Sequence, residues 1–185
     1  MEHRGTISLI GGGVRSGKST FAVELGESLG ERRAFLATAR PSDDEMKARI
    51  DRHQQDRRGA FTTIEAPLAL AETLASLEGF DVVVVDCLTL WLSNLLLAPL
   101  PVDAILARVD AVVEALAARR FHAVLVTNEV GMSVHPPTPL GRAFVEVCGF
   151  AHQRFARAAD DVYLAVLGTV IRLDPVRRAP RRGAP

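Results

Sequence analysis

Short apolar runs alternate with longer stretches of helical periodicity along this chain. The apolar runs predict strands at residues 6–10, 34–38, 61–65, 80–86, 122–127, 161–167 and 170–173. Apolar residues spaced three or four apart predict a helix from residue 20 and further helices at 43–58, 67–77, 88–97, 102–120 and 140–159. Strands that alternate with helices are typical of an α/β fold, in which helices cover both faces of a mostly parallel sheet.

A glycine-rich run joins the first predicted strand to the first predicted helix. It fits the pattern G-x-x-x-x-G-K-[ST] without a mismatch and comprises Gly12, Gly13, Val14, Arg15, Ser16, Gly17, Lys18 and Ser19. Glycines let backbone N–H groups turn toward phosphate oxygens, and the helix N-terminus adds partial positive charge. The run therefore predicts a nucleoside triphosphate site, with Lys18 on the β- and γ-phosphates. The alternative is an ordinary glycine-rich turn.

An acidic residue ends the most apolar of the predicted strands. Four valines at residues 82–85 are followed by Asp86. Phosphate-loop proteins place such a carboxylate at a strand end to hold Mg²⁺, together with the loop hydroxyl, here Ser19. Capping of a turn by Asp86 is the alternative. The two motifs together predict a P-loop NTPase-type (RecA-like) fold that binds GTP or ATP with Mg²⁺.

Length and charge narrow the range of partners. The 185 residues are compatible with one domain, which we assign to residues 1–175, followed by a flexible Pro- and Arg-rich tail at 176–185. The net charge of zero provides no general attraction to nucleic acid or to acidic lipid. The apolar stretch at residues 80–100 changes period midway and contains two aspartates, so it predicts a strand and a buried helix rather than a membrane span.

Cysteine and histidine usage predicts no structural metal. Cys87 and Cys148 are far apart in sequence and lie among apolar residues, which is typical of buried reduced thiols. His3, His122 and His135 lack the spacing of metal ligands. No apolar leader precedes the first strand, so we expect the chain in the cytoplasm.

The predicted helix at residues 43–58 has few apolar residues and many charged ones. His53 lies four residues after Arg49 and four before Arg57, so the three side chains share one helical face. Two neighbouring cations disfavour protonation of the imidazole and keep it nucleophilic. The same arginines suit phosphate oxygens under attack. From these residues alone, a solvated charged helix that carries an unreactive histidine is the favoured interpretation.

Several motifs in a fixed order resemble a known enzyme family. They are GGVRSGKS, ATA before Arg40, DDEMKARIDRHQQDR, TIEAP, DCLTLWLSNLL, VTNEVGMSVHP and RFARAADDVYLAVLG. Together they resemble the bifunctional adenosylcobinamide kinase/adenosylcobinamide-phosphate guanylyltransferases of cobalamin biosynthesis, from residue 7 to about residue 173. RIxxH, which ends at His53, and TNEVG, which begins at Thr127, are the specific parts of the match.

The resemblance implies two reactions on one scaffold. ATP or GTP phosphorylates adenosylcobinamide, and GTP then donates GMP to the new phosphate through a GMP–histidine intermediate on His53. Carried over residue by residue, Lys18 joins His53 as a catalytic residue. The nucleotide contacts beyond the loop would be Ala37, Thr38, Ala39, Gln54, Gln55, Asp56, Arg57, Glu65 and Asp86. The resemblance also implies a homotrimer, without a nucleic-acid partner.

Two other functions fit the sequence. One is a small-molecule kinase with the same phosphate loop, in which His53 takes no part and no nucleotide is transferred. The other is a nucleotide-gated protein that binds a partner, although no long partner-binding insertion is visible. The chain departs from the family pattern in two respects. His152-Gln153 stands where the family often has Asn-Gln, and the Pro- and Arg-rich tail after Leu173 exceeds the family core. We assign no catalytic role to His152 on that basis.

Overall fold

A computed structural model describes residues 4–40 and 59–173 of the chain. The strands are β1 (Ile7–Gly12), β2 (Arg33–Ala37), β3 (Thr62–Glu65), β4 (Val82–Asp86), β5 (His122–Asn128), β6 (Asp161–Val166) and β7 (Thr169–Leu173). The helices are α1 (Lys18–Leu29), α2 (Leu70–Ser76), α3 (Leu88–Leu96), α4 (Val102–Ala117) and α5 (Pro139–Ala158). The helix predicted at residues 43–58 and the tail at 176–185 lie outside the described residues.

The strands form one sheet in the order β3-β2-β4-β5-β1-β6-β7. All neighbouring strands are parallel except β6 and β7, which form an antiparallel hairpin at one edge. At the turn of this hairpin, Leu167 and Gly168 have φ of 52° and 75°. The mostly parallel sheet predicted from the alternating pattern is therefore confirmed.

Buried side chains alternate between the two faces of the sheet, as the period of two in a strand requires. Val83 and Val85 belong to the core under α2, α3, α4 and α5. Val82 and Val84 belong to a second core, which they share with α1. All four valines are fully buried, and strands with two buried faces read as continuous apolar runs. The predicted cover of helices on both faces is thus confirmed.

Charged and polar side chains link the strands at their amino ends. Arg32 forms a 2.6 Å ion pair with Asp81, and the Asp81 carboxylate also accepts from the Arg32 backbone N–H at 2.9 Å. The hydrogen bond from the Arg32 side chain holds the pKa of Asp81 well below its usual range. His122 Nδ1 accepts from the Thr6 N–H at 3.2 Å. These contacts join β2 to β4 and β5 to β1 before the sheet begins.

The predicted boundaries shift by one to three residues at most element ends. The first strand runs on through Gly11 and Gly12, two residues beyond its predicted end, because both pair with β5. The second described helix begins at Leu70 rather than at residue 67. Both cysteines are free and buried, as predicted. Within residues 4–40 and 59–173, no helix combines the length and apolarity needed to cross a bilayer.

Candidate nucleotide site

The glycine-rich run turns the chain from β1 directly into α1. Arg15 and Gly17 have positive φ, 56° and 94°, and Gly17 is the N-cap of the helix. The cap has no side-chain hydrogen bond, and the first turn contains no acidic residue. The positive end of the helix dipole is therefore not neutralised by a side chain of that turn. Such a terminus can accept an anion.

Glycine is required at both ends of the turn for different reasons. A Cβ on Gly12 would lie 2.5 Å from the Ala165 carbonyl oxygen and 2.7 Å from Ser16 Oγ. Gly12 therefore allows β6 and the loop to approach each other closely. At Gly17, the φ of 94° disfavours any residue with a side chain. The Gly17 carbonyl then accepts from the Phe21 N–H at 3.0 Å, which starts the helix.

The Lys18 side chain folds back over the loop. Its Nζ donates to the Gly13 carbonyl oxygen at 3.1 Å, and the residue is only 7% exposed. Ser16 Oγ is buried and has no hydrogen-bond partner among the described residues. A buried hydroxyl without a partner is costly. The loop thus contains a cation, Lys18, and the unpaired hydroxyl of Ser16, while Ser19, the second residue of α1, is partly exposed.

The sheet register brings the predicted polar residues to one edge. Asp86 is paired with Ala37, which is paired with Glu65 on the other side. Gly12 is paired with Asn128 on β5, the strand between β1 and β4. Asp86 is half-buried and Glu65 is exposed. These strand ends lie together at the carboxyl edge of the sheet, because parallel strands end on the same side.

Thr38 links the ends of β2 and β4. Its hydroxyl donates to the Cys87 carbonyl oxygen at 2.7 Å and accepts from the Cys87 N–H at 2.9 Å. The Asn94 side chain donates to the Thr38 and Pro67 carbonyl oxygens at 2.8 and 2.9 Å. Asn94 was missed in the sequence, where its only signal is a polar residue in the apolar helix α3. The Thr38 hydroxyl thus both donates and accepts a hydrogen bond within the protein.

Cys87, next to Asp86, is not a nucleophile at neutral pH. Burial, together with the negative charge of Asp86, raises the pKa of its thiol to about 11. Burial likewise raises the pKa of Cys148 to about 12. A thiol is reactive only as the thiolate. Within the described ranges no three His, Cys, Asp or Glu side chains are grouped so that they could hold a metal ion.

The residues predicted to carry the nucleotidyl chemistry lie outside the described ranges. These are His53 and the adjacent Gln54, Gln55, Asp56 and Arg57. The described residues therefore place the phosphate loop, the segment at residues 37–39, Glu65 and Asp86 on the same edge of the sheet, with Glu65 four strands away from β1, and they do not test the position of the histidine.

Comparison with known proteins gives one consistent family. The model of the cobinamide kinase / cobinamide phosphate guanyltransferase family matches residues 8–173. The bifunctional adenosylcobalamin biosynthesis protein CobP of Pseudomonas aeruginosa is 41% identical over 161 residues, covering 86% of this chain and 92% of the relative. The protein CobU of Escherichia coli K12, described in the same words, is 36% identical over 179 residues, covering 89% and 98%. The chain belongs to the cobinamide kinase / cobinamide phosphate guanyltransferase family.

Proposed function

We propose that this chain catalyses two transfers in succession. ATP or GTP first phosphorylates adenosylcobinamide. GTP then donates GMP to adenosylcobinamide phosphate, which gives adenosylcobinamide-GDP and releases pyrophosphate. Family membership supports both steps. The observation that carries the proposal is the complete glycine-rich loop on the first βα turn, with Lys18 folded over it at the carboxyl edge of the sheet.

In this proposal, residues 12–19 bind the triphosphate. The N–H groups of the loop point toward its concave side in such turns, and the α1 N-terminus provides partial positive charge. Lys18 would exchange its 3.1 Å bond to the Gly13 carbonyl for contacts with the β- and γ-phosphate oxygens. Its charge would then balance the charge that develops on the transferred phosphoryl group.

Ser19 and Asp86 would hold the Mg²⁺ that accompanies the nucleotide. Both offer oxygen ligands, which Mg²⁺ prefers, and both lie at the carboxyl edge of the sheet, at least partly exposed. When bound, the ion supplies positive charge to the phosphate oxygens. Ala37, Thr38, Ala39 and Glu65 would line the rest of the nucleotide site. Ala37 is paired with Asp86, and Glu65 is paired with Ala37.

His53 would carry the second reaction. The neutral imidazole attacks the α-phosphorus of GTP, an N–P bond forms, and the bond to the β-phosphate oxygen breaks to release pyrophosphate. The phosphate of the corrinoid substrate then attacks the same phosphorus, and the imidazole leaves. The neighbouring Gln54, Gln55, Asp56 and Arg57 would contact the nucleotide. Two displacements avoid bringing two multiply charged phosphates directly together.

Incubation with α-labelled GTP tests the nucleotidyl step. We expect covalent GMP that is labile in acid and stable in base, and that is absent from His53→Ala. Label on His53→Ala at the wild-type level would contradict the assignment of the intermediate. If neither form is labelled under turnover conditions but both phosphorylate adenosylcobinamide, the chain is a simple kinase. His135→Ala is a matched control, and we expect normal labelling.

The assembly and location of the enzyme complete the proposal. We expect a homotrimer in the cytoplasm, where adenosylcobinamide, GTP and ATP are its partners. The family resemblance supports the trimer, and the neutral net charge accords with small-molecule rather than nucleic-acid partners.

A further inference from the structure

Three polar side chains form a chain of hydrogen bonds between α3, β5 and α5. His152 Nε2 lies 2.6 Å from Thr127 Oγ1, and Thr127 Oγ1 lies 3.0 Å from Thr89 Oγ1. The two threonines are 3% and 4% exposed. His152 is partly exposed. The two threonine hydroxyls are thus removed from solvent, and the imidazole only in part.

The hydrogen-bonded chain ends on the backbone beside the phosphate loop. Thr89 Oγ1 accepts from the Asn128 N–H at 2.6 Å. The next N–H, that of Glu129, donates to the Gly12 carbonyl oxygen at 3.0 Å. Asn128 is also the register partner of Gly12. The hydrogen bonds thus connect His152 in α5 with the first residue of the loop.

The chemistry of the groups allows an arrangement in which the hydrogen bonds run in one direction from the backbone to His152. The Asn128 N–H can only donate, so it donates to Thr89. Thr89 can then donate to Thr127, and Thr127 can donate to His152, provided that the imidazole is neutral and has its lone pair on Nε2. Burial lowers the pKa of His152, against the opposing charge of Glu129, which favours the neutral ring. In this arrangement the Asn128 N–H and both threonine hydroxyls each have an acceptor.

A purely structural function would be served equally well by apolar side chains. Valine has nearly the shape of threonine, and burying hydroxyls and an imidazole carries a desolvation cost that apolar groups avoid. The polar groups are placed where β5 leaves the sheet, next to the loop. Their bonds can therefore fix the exit of the chain from β5 in a way that apolar contacts, which are not directional, cannot.

We infer that His152 is a positioning residue for the nucleotide site. Through Thr127 and Thr89 it holds the Asn128–Glu129 backbone against Gly12, and thereby holds the loop in the geometry that phosphoryl transfer requires. The kinetic test of this inference rests on the proposed function. The inference does not require direct contact between His152 and the substrate.

Steady-state kinetics of adenosylcobinamide phosphorylation by GTP provides the first test. Thr127→Val and His152→Leu should lower kcat about 10- to 100-fold, as is common for groups that orient a site, and leave KM for GTP within about twofold. Thr127→Ser and His152→Gln retain a polar atom for the chain and should recover most of kcat. If kcat of both disrupted variants equals that of the wild type, the inference is wrong.

His122→Leu is the matched control. His122 is the first residue of β5. It lies at the amino ends of the parallel strands, away from the phosphate loop, and its ring contacts Thr6. This variant should lower the melting temperature and leave kcat unchanged at temperatures well below melting. A similar loss of kcat in His122→Leu and His152→Leu would mean that general destabilisation causes the effect, which would also overturn the inference.

Amide hydrogen exchange tests the inference without any activity. In the wild type, the Asn128 and Glu129 amides should be protected, and Thr127→Val should accelerate their exchange by about tenfold or more while protection of β4 persists. Unchanged exchange at both amides would contradict the inference. If the wild type fails to turn over adenosylcobinamide, the proposed function fails, and the exchange experiment still decides whether the chain of hydrogen bonds positions this segment.

Discussion

The two ends of the parallel sheet are held together by different kinds of contact. At the amino ends, ion pairs join neighbouring segments: Arg32 pairs with Asp81, and Arg119 pairs with Asp160. At the carboxyl ends, the described links are made by neutral groups, such as the Thr38 hydroxyl on the Cys87 backbone. The same strands are thus fastened by charge at one end and by neutral hydrogen bonds at the other.

The difference follows from what each end has to bind. Ion pairs at the amino end neutralise their own charges and leave little net field there. At the carboxyl end, links made by hydroxyls and backbone groups add no negative charge to that of Asp86 and Glu65, which lie at the same edge. Neutral fastening therefore stabilises the strand ends without adding charge beside the α1 N-terminus, whose first turn contains no acidic residue.

Replacement of one cation at each end should give the largest contrast. We expect Lys18→Ala to lower kcat for phosphoryl transfer at least about 100- to 1,000-fold, because the loop loses the charge that stabilises the transition state. Arg32→Ala, at the amino end, should retain wild-type turnover, since its side chain is mostly exposed. Circular dichroism should show both variants folded. Full activity of Lys18→Ala would contradict the loop assignment.

Glycine substitutions should give an intermediate effect. Gly12→Ala places a Cβ 2.5 Å from a backbone oxygen, so we expect a loss of about 1–3 kcal/mol in the free energy of unfolding and weaker GTP binding. Gly149→Ala is the control, because its Cβ meets nothing within 4 Å and it lies inside α5. We expect that variant to be slightly more stable, by about 0.5–1 kcal/mol. Urea denaturation and calorimetric titration with GTP provide the measurements.

A stable Gly12→Ala variant with normal GTP affinity would mean that β6 and the loop can separate without cost. The close approach of the two segments would then have no part in binding. Destabilisation by Gly149→Ala would indicate that a Cβ at residue 149 of α5 meets other atoms.

Removal of an amino-end ion pair should have the smallest effect on the free energy of unfolding, and that effect should depend on pH. Burial tends to raise the pKa of Asp160, but bonds from Arg119 and the Ile7 N–H outweigh it and lower the pKa below 3.8. A carboxyl whose pKa is lower in the folded state stabilises the fold above its unfolded pKa, and this contribution is lost as pH falls through the folded pKa. We therefore expect Asp160→Asn to lower stability by about 0–1 kcal/mol near pH 7, given that the side chain is 44% exposed.

The measurement is the free energy of unfolding from pH 7 down to pH 3. The difference between wild type and Asp160→Asn should shrink below about pH 4, as the wild-type carboxyl becomes protonated. A difference that grows as pH falls would show that the carboxyl is protonated more readily in the folded chain, opposite to the expected direction.

Much of the fold was predictable because its signals are local. The strand at Val82–Asp86 consists of β-branched residues, and the glycine-rich run contains both the turn and the start of α1. The strand ends were less predictable: β1 continues through Gly12 because of pairing with β5, which the local pattern does not contain. The helix start at Leu70 was likewise misjudged from the proline at residue 67.

The polar contacts of the site were not predictable in the same way. Thr38 meets Cys87 across 49 residues, Thr89 meets Thr127 across 38, and Thr127 meets His152 across 25. In the sequence these are isolated polar residues without a common spacing. His152 was noticed only as a departure from the family pattern, which indicated no role for it.

The sequence by itself determined the order of strands and helices, the phosphate loop and the family, because each depends on residues adjacent in the chain. The tertiary structure alone decided the strand register, the folding of Lys18 over the loop and the hydrogen bonds that reach the loop from α5. The physical reason is that hydrogen bonds require atoms within about 3 Å, and only packing of the whole sheet brings such distant residues that close.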